Sequence, residues 1–192
     1  MCSPSNLPSE NPASIFDQES LSTSISRTIE ERLDRLESER DIRALVHRYA
    51  ELCDAAYDPD GLAGLFTEDA TWSSRTRDGS VDFGRYEGRE AIRAFFAGAS
   101  TDLGPMTLHY LIAPRVELAE DGESATGVCY LLAILDQRPA SSAPGSTDRE
   151  RVLLGGVYSH RFRRVDGRWL ISGSACDLSL EEPLMSAPSP KP

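Results

Sequence analysis

Three histidines, His47, His109 and His160, carry the most versatile acid-base group in the chain. An imidazole changes charge near neutral pH and can take a proton from carbon next to a carbonyl or a leaving group. The three are far apart in sequence and show no H-x-E-x-x-H spacing, so no metal site is expected. His47 falls out of phase with the apolar stripe of its helix and is expected in solvent. His160 shares the parity of Tyr158 but lies close to the Asp166-Gly167 turn, which predicts a place at the sheet edge. His109, in the strand TLHY, is either a satisfied core histidine or a general base. Two other residues stand out for their type. Asp54 falls at the end of a helical pattern, where an acid opposes the helix dipole and so lacks an obvious structural role. Tyr49, five residues earlier, could donate its phenol proton to a substrate oxygen or simply pack on the apolar stripe. Five helical residues turn the two apart by about 140°, so both reach one pocket only if the helix loosens there.

Other chemistries lack their residues. Lys191 is the only lysine and lies in a Pro-rich end, which leaves little for Schiff-base chemistry. Cys2, Cys53, Cys129 and Cys176 form no C-x-x-C pair and suit a reducing, cytoplasmic setting. Neither a Gly-rich phosphate loop nor a G-x-S-x-G elbow occurs, so neither cofactor nor nucleophilic serine is expected.

The elements that must position these residues follow from periodicity. Apolar residues recur at three and four from Thr28 to about Ala56 (Ile29, Leu33, Leu36, Ile42, Leu45, Val46, Tyr49, Leu52, Cys53), which predicts one long helix. Asp58-Pro59 then opens a short helix through Leu62, Leu65 and Phe66. A third helix follows Gly88, with Ile92, Phe95 and Phe96 inward and Gly98 as its C-terminal stop. Two short strands, near 70–74 and 81–86, pair across Asp78-Gly79. After Gly104, four long β-rich stretches alternate with turns, with Asp121-Gly122 and Asp166-Gly167 placed at hairpins. Helices followed by a mostly antiparallel sheet define an α+β class. Helices lying in the concave face of a curved sheet leave a funnel, a natural small-molecule pocket. Trp72, Tyr86, Phe96 and Tyr158 are either plain core or the walls of that funnel.

Composition bounds the partners. The 192 residues suit one domain with tails: 1–27, rich in Ser and Pro, and 181–192 are expected to be disordered, leaving a domain at 28–180. The stretch 136–150, DQRPASSAPGSTDRE, is expected to be a long internal loop. A formal net charge of −11 argues against nucleic acid and anionic membrane surfaces, and no apolar run approaches the length of a membrane span.

The residues Leu36, Ile42, Leu45, Tyr49 and Asp54 in their spacing, then GLAGLFTEDATW, YEGREAIRAFF, TLHYLIAPRVEL and GGVYSHRFRRVDGRWLIS, resemble the SnoaL-like branch of the NTF2-like superfamily over about 35–178. The pattern is similar to scytalone dehydratase, hexachlorocyclohexane dehydrochlorinase and bile acid 7α-dehydratase. The resemblance implies a cone in which N-terminal helices pack in the concave face of a curved, mixed, mostly antiparallel sheet. It implies that Asp54 supports His109 as a cofactor-independent base, with Tyr49 as an acid. The strand ATGVCYLLAIL lacks the second histidine that scytalone dehydratase uses. Alternation and the resemblance together turn Leu131, Ala133, Leu154, Gly156, Tyr158 and Ser174 toward the funnel, and Trp72 and Phe96 complete the expected substrate-binding wall. The expected activity is a dehydratase or related lyase on an apolar, cyclic molecule. A cyclase or isomerase of a polyketide-like or terpenoid-like intermediate would need the same groups, and a non-catalytic binding protein or dioxygenase β-subunit-like partner is the rival from another class. A homodimer or homotrimer is implied by the family.

Overall fold

The computed structural model describes residues 28–102, 107–137 and 149–184. The expected tail 1–27, residues 185–192 of the tail expected at 181–192, and residues 138–148 of the loop expected at 136–150 lie outside them; residues 181–183 are not tail but the end of the last strand, where ladder pairing to 152–154 continues it. The chain divides into two compact units, 1–34 and 35–192.

In the first unit the start of the long helix is fixed by a reciprocal cap. The Glu31 amide donates to Thr28 Oγ1 (3.2 Å) and the Thr28 amide donates to Glu31 Oε2 (2.8 Å), satisfying two of the amides that a helix start leaves unpaired. This helix, α1 (Ile29–Asp54), keeps Ile42, Val46, Tyr49, Leu52 and Cys53 buried as their spacing predicts. Ile29, Leu33 and Leu36 are exposed instead.

The second unit holds α2 (Pro59–Ala63), β1 (Phe66–Thr76), β2 (Asp82–Glu87), α3 (Arg89–Asp102), β3 (Leu108–Leu118), β4 (Ser124–Gln137), β5 (Glu150–Val165) and β6 (Arg168–Pro183). Asp58 caps α2 by accepting from the Gly61 amide, and Pro59 follows at the first helical position. Helix α2 ends at Ala63 rather than running through Leu65 and Phe66, because the chain turns there and Phe66 opens β1. Helix α3 passes through Gly98 to Asp102. The Ser100 hydroxyl donates to the Ala97 carbonyl and the Thr101 hydroxyl to Gly98, bonds compatible with continued helix, so this glycine is no stop.

The six strands form one curved, unclosed sheet in the order β2-β1-β6-β5-β4-β3, antiparallel except for β1 and β6, which run parallel. The β5–β6 hairpin turns at Asp166 and Gly167, both in the left-handed region (φ 50° and 75°), as a tight two-residue turn needs. Strands β4 and β5 reach into the stretch expected to be loop, pairing Asp136 with Arg151 and Gln137 with Glu150. Alternation sorts the faces. Cys129, Leu131, Ala133 and Leu135 of β4, and Val152, Leu154, Tyr158 and Phe162 of β5, are buried, while the intervening Tyr130 and Leu132 are exposed. The Arg35 guanidinium donates to the Leu118 and Ala119 carbonyls, tying α1 to the end of β3.

Candidate active site

Asp54 is the last residue of α1, and the helix does not stop there in an ordinary way. The Tyr57 amide donates to the Cys53 carbonyl and the Asp58 amide to the Leu52 carbonyl, each bond one residue wider than in a Schellman ending. Ala56 and Tyr57 both take positive φ (57° and 54°), at positions where glycine is the common residue. The helix stays regular from Tyr49 to Asp54, so the expected loosening between them does not occur: Tyr49 lines the cavity and Asp54 does not, reaching it only through His109.

Asp54 Oδ1 accepts twice from His109, from its backbone amide at 2.8 Å and from Nδ1 at 2.9 Å. Position and ring orientation of the imidazole are thus set by one carboxylate oxygen. A carboxylate only accepts, so Nδ1 carries the proton and Nε2 presents a lone pair. Nε2 in turn accepts from the Tyr57 hydroxyl at 2.8 Å. The His109 side chain is 7% exposed and that of Asp54 is 32% exposed, so the pair links solvent to an enclosed space.

That space is a cavity of about 930 Å³ between helices and sheet, lined by Tyr49, Cys53, Tyr57, His109 and a largely apolar wall. On one side Trp72, Phe95 and Tyr86 form an aromatic stack with centroid spacings of 4.4 and 4.5 Å. Phe96, Leu131, Leu154 and Tyr158 complete it, as the sequence predicts. Of the other expected wall residues, Ala133 and Ser174 are buried but are not among the lining, and Gly156 is not either. Each belongs to the inward face of the sheet, where neighbouring side chains pack over it.

Tyr49 reaches the cavity. Its oxygen accepts from Trp72 Nε1 at 3.0 Å, and its ring is boxed edge-on by Phe66, Phe96 and Tyr158. Burial pushes this phenol well above the ordinary tyrosine range, so its proton is retained. The Tyr49 hydroxyl also has hydrogen-bonding neighbours in Tyr158 and Cys53.

His47 is exposed, as expected. His160 is not at the sheet edge. It is buried, stacked on Tyr158 (5.1 Å, 8° between planes), with Nε2 3.8 Å from Cys129 Sγ, and burial lowers its pKa to about 4. The parity with Tyr158 decides its direction, and the strand continues beyond it to Val165 before the turn. Among the described residues, no group of three or more His, Cys, Asp or Glu is placed to hold a metal ion. Nor is any helix among them long and apolar enough to cross a membrane.

Tyr57 was missed by sequence reasoning. Its one signal is an aromatic in the linker D-A-A-Y-D-P, where small turn residues are expected.

A helical layer in the concavity of an open, mostly antiparallel sheet, with a carboxylate-histidine pair facing the enclosed cavity, defines the class: an α+β cone. The SnoaL-like domain matches residues 34–174, and the chain belongs to this family. No curated protein sequence matches it. Among solved structures it is similar to a hexachlorocyclohexane dehydrochlorinase from Novosphingobium barchaimii (22% identity, 84% of this chain and 99% of that one, TM-score 0.66). It is also similar to two proteins of Novosphingobium aromaticivorans. One is named as a scytalone dehydratase (21%, 80% and 92%, TM-score 0.62) and the other as an aromatic ring hydroxylase (23%, 78% and 94%, TM-score 0.64). At these identities the likeness establishes the shared fold.

Proposed function

We propose that the protein is a cofactor-independent lyase, a dehydratase in the first instance, acting on an apolar, cyclic small molecule. The observation that carries this reading is the double hydrogen bond from His109 to Asp54 Oδ1, which leaves the Nε2 lone pair on the cavity side. In that tautomer Nε2 takes a proton from carbon next to a carbonyl. Asp54 holds the ring and offsets the charge of the imidazolium that forms. Tyr49, its oxygen already engaged by Trp72, donates to the substrate oxygen on which enolate charge develops. The apolar wall favours a hydrophobic ring system over a sugar or a phosphate. Family membership and the dehydrochlorinase and dehydratase among the similar structures agree with elimination chemistry.

A panel of cyclic 3-hydroxy ketones, followed by the absorbance of the conjugated enone product, tests the reading. His109→Ala is expected to remove most turnover while ligand affinity stays within a few fold, because the imidazole acts chiefly in the transition state. Asp54→Asn keeps the shape but permits the wrong tautomer, and is expected to cost on the order of 10²- to 10⁴-fold in rate. Full turnover in both variants would make the pair structural and end the proposal.

A further inference from the structure

The widened end of α1 places a tyrosine where glycine is the easy choice. Left-handed backbone is unfavourable for a residue with a Cβ, and here two residues in succession, Ala56 and Tyr57, adopt it. The exposed Ala56 side chain gains nothing evident from this arrangement. Tyr57 does, because the turn drives its ring inward, 8% exposed, against Phe96 (6.0 Å between centroids) and edge-on to His109 (5.5 Å, 77°). Its hydroxyl ends 2.8 Å from His109 Nε2, on the cavity side.

With Nδ1 protonated toward Asp54, Nε2 must accept, so Tyr57 is the donor. A phenol proton is therefore held on the one nitrogen that has to receive the substrate's proton. If His109 is the base, Tyr57 must turn away when a C–H approaches, and the nearest new acceptor is the substrate itself. We propose that Tyr57 is the catalytic acid for the leaving group and is recharged by His109. This inference rests on the lyase reading given above.

The step balances without any further reactant. Nε2 takes the proton from the carbon beside the carbonyl, and that C–H electron pair passes through the enolate to become the new C=C bond. The C–O bond breaks with its electrons going to oxygen, which takes the Tyr57 proton and departs as water. The phenolate then recovers a proton from the His109 imidazolium, so both residues return to their starting forms. Burial holds Tyr57 well above the usual tyrosine range, which keeps the acid loaded at neutral pH and makes a lasting phenolate unfavourable, so return of the proton is downhill.

Two measurements test the assignment. The first uses ¹⁵N-histidine-labelled protein with no ligand, comparing parent with Tyr57→Phe, which keeps the ring and removes only the hydroxyl. The His109 Nε2 resonance, identified by its absence in His109→Gln, is expected to move in Tyr57→Phe while Nδ1 stays close to its parent value. An unmoved Nε2 resonance overturns the proposal, since the phenol would then not be on that nitrogen. The second compares a 3-hydroxy ketone with 3-(4-nitrophenoxy)cyclohexanone, whose leaving group departs as a stable anion and needs little acid assistance. Tyr57→Phe is expected to lose on the order of 10²- to 10³-fold with the hydroxy ketone, and within about tenfold with the nitrophenoxy ketone. Equal losses on both would reduce Tyr57 to positioning His109 and overturn the acid role alone. A parent protein inert toward both probes would instead overturn the lyase reading, and this inference with it.

Discussion

His160 shows how little a residue's type says until its surroundings are known. Both it and His109 are imidazoles on strands, but His109 is held by a carboxylate at the cavity and His160 lies among Tyr49, Tyr158, Phe162 and Cys129. Burial pushes the tyrosines and the thiol upward, so they stay neutral and supply no counter-charge. The folded pKa of His160, about 4, is below its ordinary 6.5, which fixes the sign of its contribution. Between those values the unfolded chain binds a proton that the folded one refuses, so stability is complete above about pH 6.5 and falls as pH drops toward 4. The loss amounts to about 3 kcal/mol at most. The difference in chemical-denaturation midpoint between His160→Leu and the parent, measured across that window, is expected to shift in the variant's favour as pH falls, because the variant lacks this slope. Parallel profiles would place the acid sensitivity elsewhere. Of the three residues given chemical roles from sequence, Asp54 and His109 meet directly and Tyr49 faces the same cavity. Tyr57 was not legible because its position depends on a left-handed turn. Nothing in D-A-A-Y-D-P announces such a turn when the usual glycine is missing.

At the scale of elements, periodicity recovered every helix and strand but misjudged several ends. Apolar spacing reports which face is buried, and it reports this only while the element is in contact with the core. The strands therefore extend past their apolar patterns, at Gln137 and Glu150, where ladder hydrogen bonds rather than burial continue them. Gly98 was read as a stop because glycine is common after helices, but a glycine also occurs where a helix faces open space. Here nothing lies within 4 Å of the position a Cβ would take, and the residue is solvent-exposed within α3. Gly98→Ala is accordingly expected to stabilise the protein by about 0.5–1 kcal/mol through reduced unfolded-state freedom. A thermal midpoint that rises by a few degrees would show this, whereas a fall would mean that the alanine methyl meets a group in the cavity wall. The same substitution should leave the His109 geometry intact, since Gly98 has no contact with the Asp54 pair.

For the whole molecule, the outward face of β3, β4, β5 and β6 is the feature least suited to an isolated acidic chain. Strand register aligns Leu108, Ile134, Leu153 and Glu182 in one row, Tyr110, Leu132, Gly155 and Leu180 in the next, and Ile112, Tyr130, Val157 and Asp177 in a third. The nine positions on β3, β4 and β5 are uncharged, the two charges of these rows lie on β6, and Tyr110 and Tyr130 are 53% and 61% exposed. An apolar array of this extent, with large aromatic side chains standing out from it, is characteristic of surfaces that are covered in the working protein. The formal charge of −11 sets the terms for the occupant. Two copies repel through most of their surfaces and approach most readily where uncharged side chains face outward, which is the β3, β4 and β5 part of this face. The expected occupant is therefore a second copy of the chain. Sedimentation velocity is expected to give a mass above that of one chain, with association strengthening in higher salt as repulsion is screened. Tyr130→Glu together with Leu132→Glu should return the protein to a single chain without lowering its folding midpoint, because neither side chain belongs to the core. A parent protein that sediments as one chain at every concentration and salt would remove self-association as the reason for this face.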